Sequence, residues 1–225
     1  MSNNNNDNNN TTSLGEELEA TKTAFLANVP ESAKTIMING NAPVEPLIPK
    51  VTRSGQLPSV VLPDAEGKTV DLNALAKAKG LLVIVFYRGS WCPYCNVQLN
   101  YYKKRLADIE AAGGHVVAIS PMTPDASLSL KEKSELPYTV LSDAGNAFAA
   151  KLNLVHTLPN DVKELYQSYK LDVAGVNGDD SWTLPIPATY IVNKDNEIVH
   201  AGGIGADYTK REDVDEIIAK LKEFK

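Results

Sequence analysis

Continuous apolar runs alternate with helical periodicity over most of this chain, behind a polar start and a short amphipathic stretch. Leu81 to Tyr87 is seven apolar residues in a row. Such a run has no polar face to show to water and predicts a buried central strand. His115 to Ser120, after Gly113-Gly114, predicts a second buried strand, and Ser59–Leu62, Thr69–Leu72 and Tyr138–Leu141 predict shorter ones. Ala188–Asn193 and Glu197–Ala201 predict a hairpin across Lys194-Asp195-Asn196. Helical signals fall between the strands. Asp71 caps Leu72–Lys79, Asn96–Ala112 carries Leu99, Tyr102, Leu106 and Ile109 at helical spacing, and Thr123-Pro124-Asp125 opens a helix to about Lys133. Asp143 caps Ala144–Lys151, Pro159 starts a helix to about Tyr169, and a last helix from about Arg211 carries Val214, Ile217, Ile218 and Leu221. Leu171–Thr183 is polar and contains glycine, which predicts a surface excursion bordering a site. The sum is an α/β fold with a mixed central sheet flanked by helices.

The first part of the chain reads differently. Residues 1–12 are an Asn-rich, low-complexity tail expected to be disordered. Ser13 caps a predicted helix from Leu14 to about Asn28, and Pro30 opens a second through about Ile38. Asn39–Pro49 holds one glycine and three prolines and is expected to be an extended linker. The organisation is therefore a tail (1–12), a helical extension with a linker (13–49) and one domain of ordinary size (50–225).

Composition narrows the function. A 43% hydrophobic content supports a sizeable core, and a net charge of −6 argues against a nucleic-acid surface. The longest strongly apolar run is far too short to span a membrane. Met1–Asn10 has neither a positive n-region nor an apolar h-region, so a secretory signal is not expected. Two cysteines cannot build a disulfide scaffold, and a cytoplasmic location fits best.

Those two cysteines stand together in Arg88-Gly89-Ser90-Trp91-Cys92-Pro93-Tyr94-Cys95, between the predicted central strand and a helix. A C-x-x-C pair at a helix start lies against unpaired N–H groups and the positive end of the helix dipole, which favours the reactive thiolate. Pro93 suits the first helical position and makes Cys92 the predicted N-cap, with its sulfur accepting the N–H of Cys95. By that local argument Cys92 is the lower-pKa thiol. Arg88 is placed to lower either one, Trp91 to pack beside the pair, and Tyr94 to be exposed on the loop. A zinc site is disfavoured, since there is no second cysteine pair and His115, His156 and His200 follow no ligand spacing. Gly202-Gly203-Ile204-Gly205 lacks dinucleotide-binding spacing and reads as a turn, and Asp179-Asp180-Ser181-Trp182 reads as a solvated loop.

Phe86 to Leu99, Ile119-Ser120-Pro121, Leu141-Ser142-Asp143 and Pro187-Ala188-Thr189-Tyr190 resemble peroxiredoxin-like proteins of the alkyl hydroperoxide reductase/thiol-specific antioxidant family, within the thioredoxin superfamily. The resemblance covers most of residues 50–225 and implies a thioredoxin-like fold, with Pro187 cis and facing the cysteines. Typical members carry Pro-x-x-x-Thr-x-x-Cys with the last cysteine peroxidatic. In that register Cys95 is the peroxidatic residue, Cys92 replaces the threonine, Arg88 replaces the proline, and Pro187 takes the place of the family's catalytic arginine. The implied activity is thiol-dependent reduction of hydrogen peroxide or alkyl hydroperoxides through a Cys95 sulfenic acid and a Cys92–Cys95 disulfide. Thioredoxin or glutathione is the implied reductant, no metal or cofactor is needed, and a homodimer is allowed. The alternative is a thiol–disulfide oxidoreductase with Cys92 as nucleophile and Cys95 resolving. A third reading is a non-catalytic module whose N-terminal helices dock a partner.

Overall fold

A computed structural model describes residues 12–225. The expected disordered tail lies, apart from Thr12, outside the described residues. Ser13 caps α1 (Leu14–Ala27) as expected, in a reciprocal pair in which its side chain accepts from the Glu16 amide and Glu16 accepts from the Ser13 amide. After α2 (Glu31–Asn39) the chain does not extend through 39–49. It folds into turns and a single 3₁₀ segment, Glu45–Lys50, because burying Val44 and Val51 outweighs the extended preference of the prolines.

The domain follows as β1 (Gly55–Gln56), β2 (Val61–Pro63), β3 (Thr69–Asp71), α3 (Leu72–Lys79) and β4 (Leu81–Phe86). Next come α4 (Pro93–Lys104), α5 (Leu106–Ala111), β5 (Gly114–Ser120), α6 (Pro124–Lys133) and β6 (Thr139–Ser142). The remainder is α7 (Ala147–Lys151), β7 (Val155–Thr157), α8 (Asn160–Ser168), α9 (Val173–Asn177), β8 (Thr183–Pro185), β9 (Ala188–Val192), β10 (Glu197–Gly202) and α10 (Val214–Phe224). The predicted 96–112 helix is two helices that meet at Arg105, whose guanidinium holds Asp108 and Asp215. Asp143 caps later than expected. Its carboxylate accepts from the Phe148 and Ala149 amides, because left-handed turns at Gly145 and Asn146 delay the α-helix.

The central sheet runs β1-β10-β9-β4-β5-β6, parallel between β4, β5 and β6 and antiparallel elsewhere. Alternate residues of β4 feed two cores. Leu81, Val83, Val85 and Tyr87 pack with α4 and α10 through Leu99, Tyr102, Ile217 and Leu221. Leu82, Ile84 and Phe86 pack with Leu72, Phe148 and Leu152. Leu14 and Leu18 of α1 belong to the first of these cores, so the extension is packed onto the sheet domain. The Leu171–Thr183 segment is less exposed than its polarity suggested. Val173 and Trp182 are buried in a third cluster with Leu158, Val162 and Tyr166, because the apolar face of α8 needs cover.

Candidate active site

The chain leaves β4 at Phe86 and enters α4 at Pro93, so the loop 87–92 lies at the end of the buried strand where it meets a helix start. Gly89 (φ +150) lies so near the Trp91 indole that a Cβ there would be 2.5 Å from Nε1. The Asn96 side-chain amide donates to the Ser90 carbonyl (2.8 Å) and the Cys92 amide to the Gly89 carbonyl (3.2 Å), which pins the loop onto the first turn of α4. Cys92 is the N-cap, as the sequence predicts, but its sulfur accepts no capping hydrogen bond.

Hydrogen bonds converge on the other sulfur. Cys95 Sγ accepts from the Arg88 backbone amide (3.5 Å) and from Arg211 Nη2 (3.4 Å). Arg211 comes from the segment before α10 and is aimed by three further bonds, Nε to Gln98 Oε1 (2.7 Å) and Nη1 to the carbonyls of Tyr208 (2.5 Å) and Lys210 (2.6 Å). No periodicity or motif in the sequence singles out Arg211. Its neighbour Glu212 is buried and paired with His200 (2.5 Å).

Both cysteines are free and fully buried, at 1% and 0% exposure. Burial alone raises a thiol pKa, and for Cys92 it dominates: the thiol is pushed well up, further so by its hydrogen bond to Cys95 and the charge there. Cys95 moves the other way. Burial raises it, but the Cys92 hydrogen bond, the Arg211 and Arg88 guanidinium charges and the Arg88 amide together lower it to about 5. The local N-cap argument is therefore reversed by tertiary contacts.

Arg88 is only 2% exposed. Its guanidinium stands 4.2 Å from the Tyr208 ring and 4.9 Å from the Trp91 ring, and Nη2 donates to the Tyr166 hydroxyl (3.0 Å). Trp91 also packs on Tyr166, at 5.5 Å between ring centres. Tyr94 is not exposed on the loop. It is buried edge-on against Tyr208, because α1 and the 207–209 turn cover this side of α4. Arg88, Trp91 and Pro93 line the same cavity as Cys92. Pro187 lines a different, small cavity with Arg88 and Tyr166, and the cysteines do not line it. Its peptide bond is trans, since β8 runs on into β9 with Ile186 bonded to the Leu154 carbonyl and no tight turn to make. A cavity of about 370 Å³ opens on Cys92, Arg88 and Trp91, and does not include Cys95. Among the described residues no cluster of His, Cys, Asp and Glu is arranged to hold a metal, and no helix is long and apolar enough to cross a membrane.

Comparison with known proteins identifies the family and the fold. Residues 54–201 match the model of the AhpC/TSA family. The chain is 35% identical to chloroplastic peroxiredoxin Q of Populus jackii over 56% of this chain and 58% of that protein. It is 33% identical to chloroplastic peroxiredoxin Q of Suaeda salsa over 58% and 59%. Each match spans less than two thirds of the plant protein's length. Among solved structures, peroxidoxin BcpB from Mycobacterium tuberculosis superposes with a TM-score of 0.60 at 17% identity, over 78% of this chain and 99% of that one. Xanthomonas campestris peroxiredoxin Q gives 0.54 at 18%, over 73% and 90%. The fold is the thioredoxin-like fold of these structures, and the chain belongs to the AhpC/TSA family.

Proposed function

We propose that this protein is a thiol-dependent peroxidase with Cys95 as the peroxidatic thiolate and Cys92 as the resolving thiol. The observation that carries the reading is the asymmetry of the pair: the Arg211 guanidinium and the Arg88 amide donate hydrogen bonds to Cys95, while Cys92 accepts no capping bond and burial holds it protonated. The Cys95 thiolate attacks the distal oxygen of a hydroperoxide. The O–O bond breaks, Cys95 becomes a sulfenic acid, and the departing alkoxide or hydroxide takes a proton. The Arg211 guanidinium stabilises the charge spread between sulfur and oxygen during the transfer. Cys92 then attacks the sulfenic sulfur, expelling water and forming the Cys92–Cys95 disulfide. Two electrons and two protons from a thioredoxin-type reductant or from glutathione restore both thiols. This cycle suits a reducing compartment such as the cytoplasm.

The rival is a thiol–disulfide oxidoreductase with Cys92 as nucleophile. It is favoured by one observation, that Cys92 lines the cavity and Cys95 does not. Stopped-flow fluorescence of the reduced protein, with Trp91 as reporter and intact mass in parallel, separates the two. Oxidation by hydrogen peroxide or cumene hydroperoxide far faster than an ordinary thiol, ending two hydrogens lighter, supports the peroxidase. Oxidation at free-thiol rates with rapid reduction of a model disulfide would move the assignment to the oxidoreductase.

A further inference from the structure

We infer that the cavity between the N-terminal helices and the active-site loop binds an organic carboxylate with an apolar aromatic body, and that it does so chiefly when the Cys95 thiolate is absent. The redox half of this inference rests on the disulfide cycle proposed above. The cavity, about 370 Å³, is walled by Phe25, Val29, Met37, Trp91, Tyr169 and Leu171, with Arg88 also at its surface. Those walls come from the extension as well as the domain, and they suit a flat apolar body rather than a strongly hydrated inorganic ion.

Arg88 is what asks for an anion. It is 2% exposed, its Nε has no hydrogen-bond partner, and its one side-chain hydrogen bond goes to the neutral Tyr166 hydroxyl. Among the described residues no carboxylate lies within 4.0 Å of it. A buried guanidinium in aromatic surroundings is costly without a counter-charge. In the dithiol state the Cys95 thiolate, in the first turn of α4, supplies negative charge beside Arg88, whose backbone amide donates to its sulfur, and shares that charge with Arg211. In the disulfide neither sulfur is charged, and both guanidinium groups remain. A carboxylate fits the vacancy in charge because its two oxygens match the guanidinium fork, and the positive end of α4 adds to the attraction.

The test is calorimetric titration of the full chain with 2-naphthoate and, as the uncharged control, methyl 2-naphthoate. The dithiol form is compared at pH 7.5 with a disulfide form made by diamide and verified by mass. The expected result is naphthoate binding tighter to the disulfide form by about tenfold or more, with no such preference for the ester. Cys95→Ser removes the thiolate with neither peroxide nor a disulfide, and is expected to bind naphthoate as the disulfide form does. That arm keeps the site distinguishable from the peroxidase reading, which the stopped-flow experiment decides separately. Arg88→Met is expected to lose the preference for naphthoate over its ester. Val29→Trp, at a partly exposed position that leaves Arg88 untouched, is expected to block both ligands by filling the cavity. Equal affinity of naphthoate for the dithiol, disulfide and Cys95→Ser forms, or unchanged binding in Val29→Trp, would overturn the inference.

Discussion

Replacing Arg211 with Met tests whether a residue remote in sequence sets the reactivity of Cys95. Arg211 Nη2 stands 3.4 Å from Cys95 Sγ in a fully buried setting. Unit charges at that separation attract by roughly 5 kcal/mol at an effective dielectric of about 20. Only part of this survives as a difference in proton affinity, and an opposite charge so near typically accounts for about 1–3 pKa units. Starting from about 5, the Cys95 thiol of the variant is expected to titrate between about 6 and 8. At pH 6 the thiolate fraction then drops from roughly nine tenths to between about a half and a hundredth, and the peroxide rate falls at least in that proportion. The assay is ultraviolet thiolate absorbance against pH in a Cys92→Ser background, where one thiol titrates, alongside peroxide kinetics at each pH. Arg211→Lys keeps the charge but cannot make the same four contacts, so it should recover part of the shift. An unmoved titration midpoint in Arg211→Met would refute the argument, because it would mean that burial, Arg88 and the hydrogen bond from residue 92 govern the thiol without Arg211.

Other outcomes follow from the same geometry. Cys92→Ser should still form a sulfenic acid rapidly while Cys95→Ser does not, as dimedone labelling and mass would show; labelling of the Cys95→Ser protein instead would reverse the roles. Because the folded Cys95 pKa lies below the ordinary thiol value, the unfolded chain binds the extra proton between about pH 5 and 8.5, so this group's stabilisation is full above that window and is lost as pH falls through it. Urea midpoints of wild type and Cys95→Ser should therefore diverge as pH rises, and parallel curves would count against the shift. Leu14→Ala should cost about 2–5 kcal/mol of stability if the extension is part of the core, whereas a separate appendage would tolerate it; chemical denaturation measures the difference. Gly89→Ala should slow peroxide reduction and alter Trp91 fluorescence, since the added methyl meets the indole; unchanged fluorescence and rate would exclude that role for the turn.

The elements whose physics is local were legible in the sequence. A seven-residue apolar run has nowhere to go but the middle of a sheet, and Leu81–Phe86 is the central strand, buried on both faces. Pro93 sets the helix start, so the place of Cys92 at the N-cap followed from residue type alone. Ser13, Asp71 and Thr123 cap helices where the sequence puts them, because a cap needs only its own turn. Strands of two or three residues, such as β1, β7 and β8, carry too few positions to show a period and exist only through their partners. The site divides the same way. That two thiols sit at a helix start is sequence information, but which of them is acidic depends on Arg211, 116 residues from Cys95, and on burial that raises one thiol and is overcome at the other. The cavity over Cys92 likewise exists only because α1 and α2 pack back onto the domain. Charge and burial act through distance in space, and the tertiary fold alone decides which groups stand a few ångströms apart.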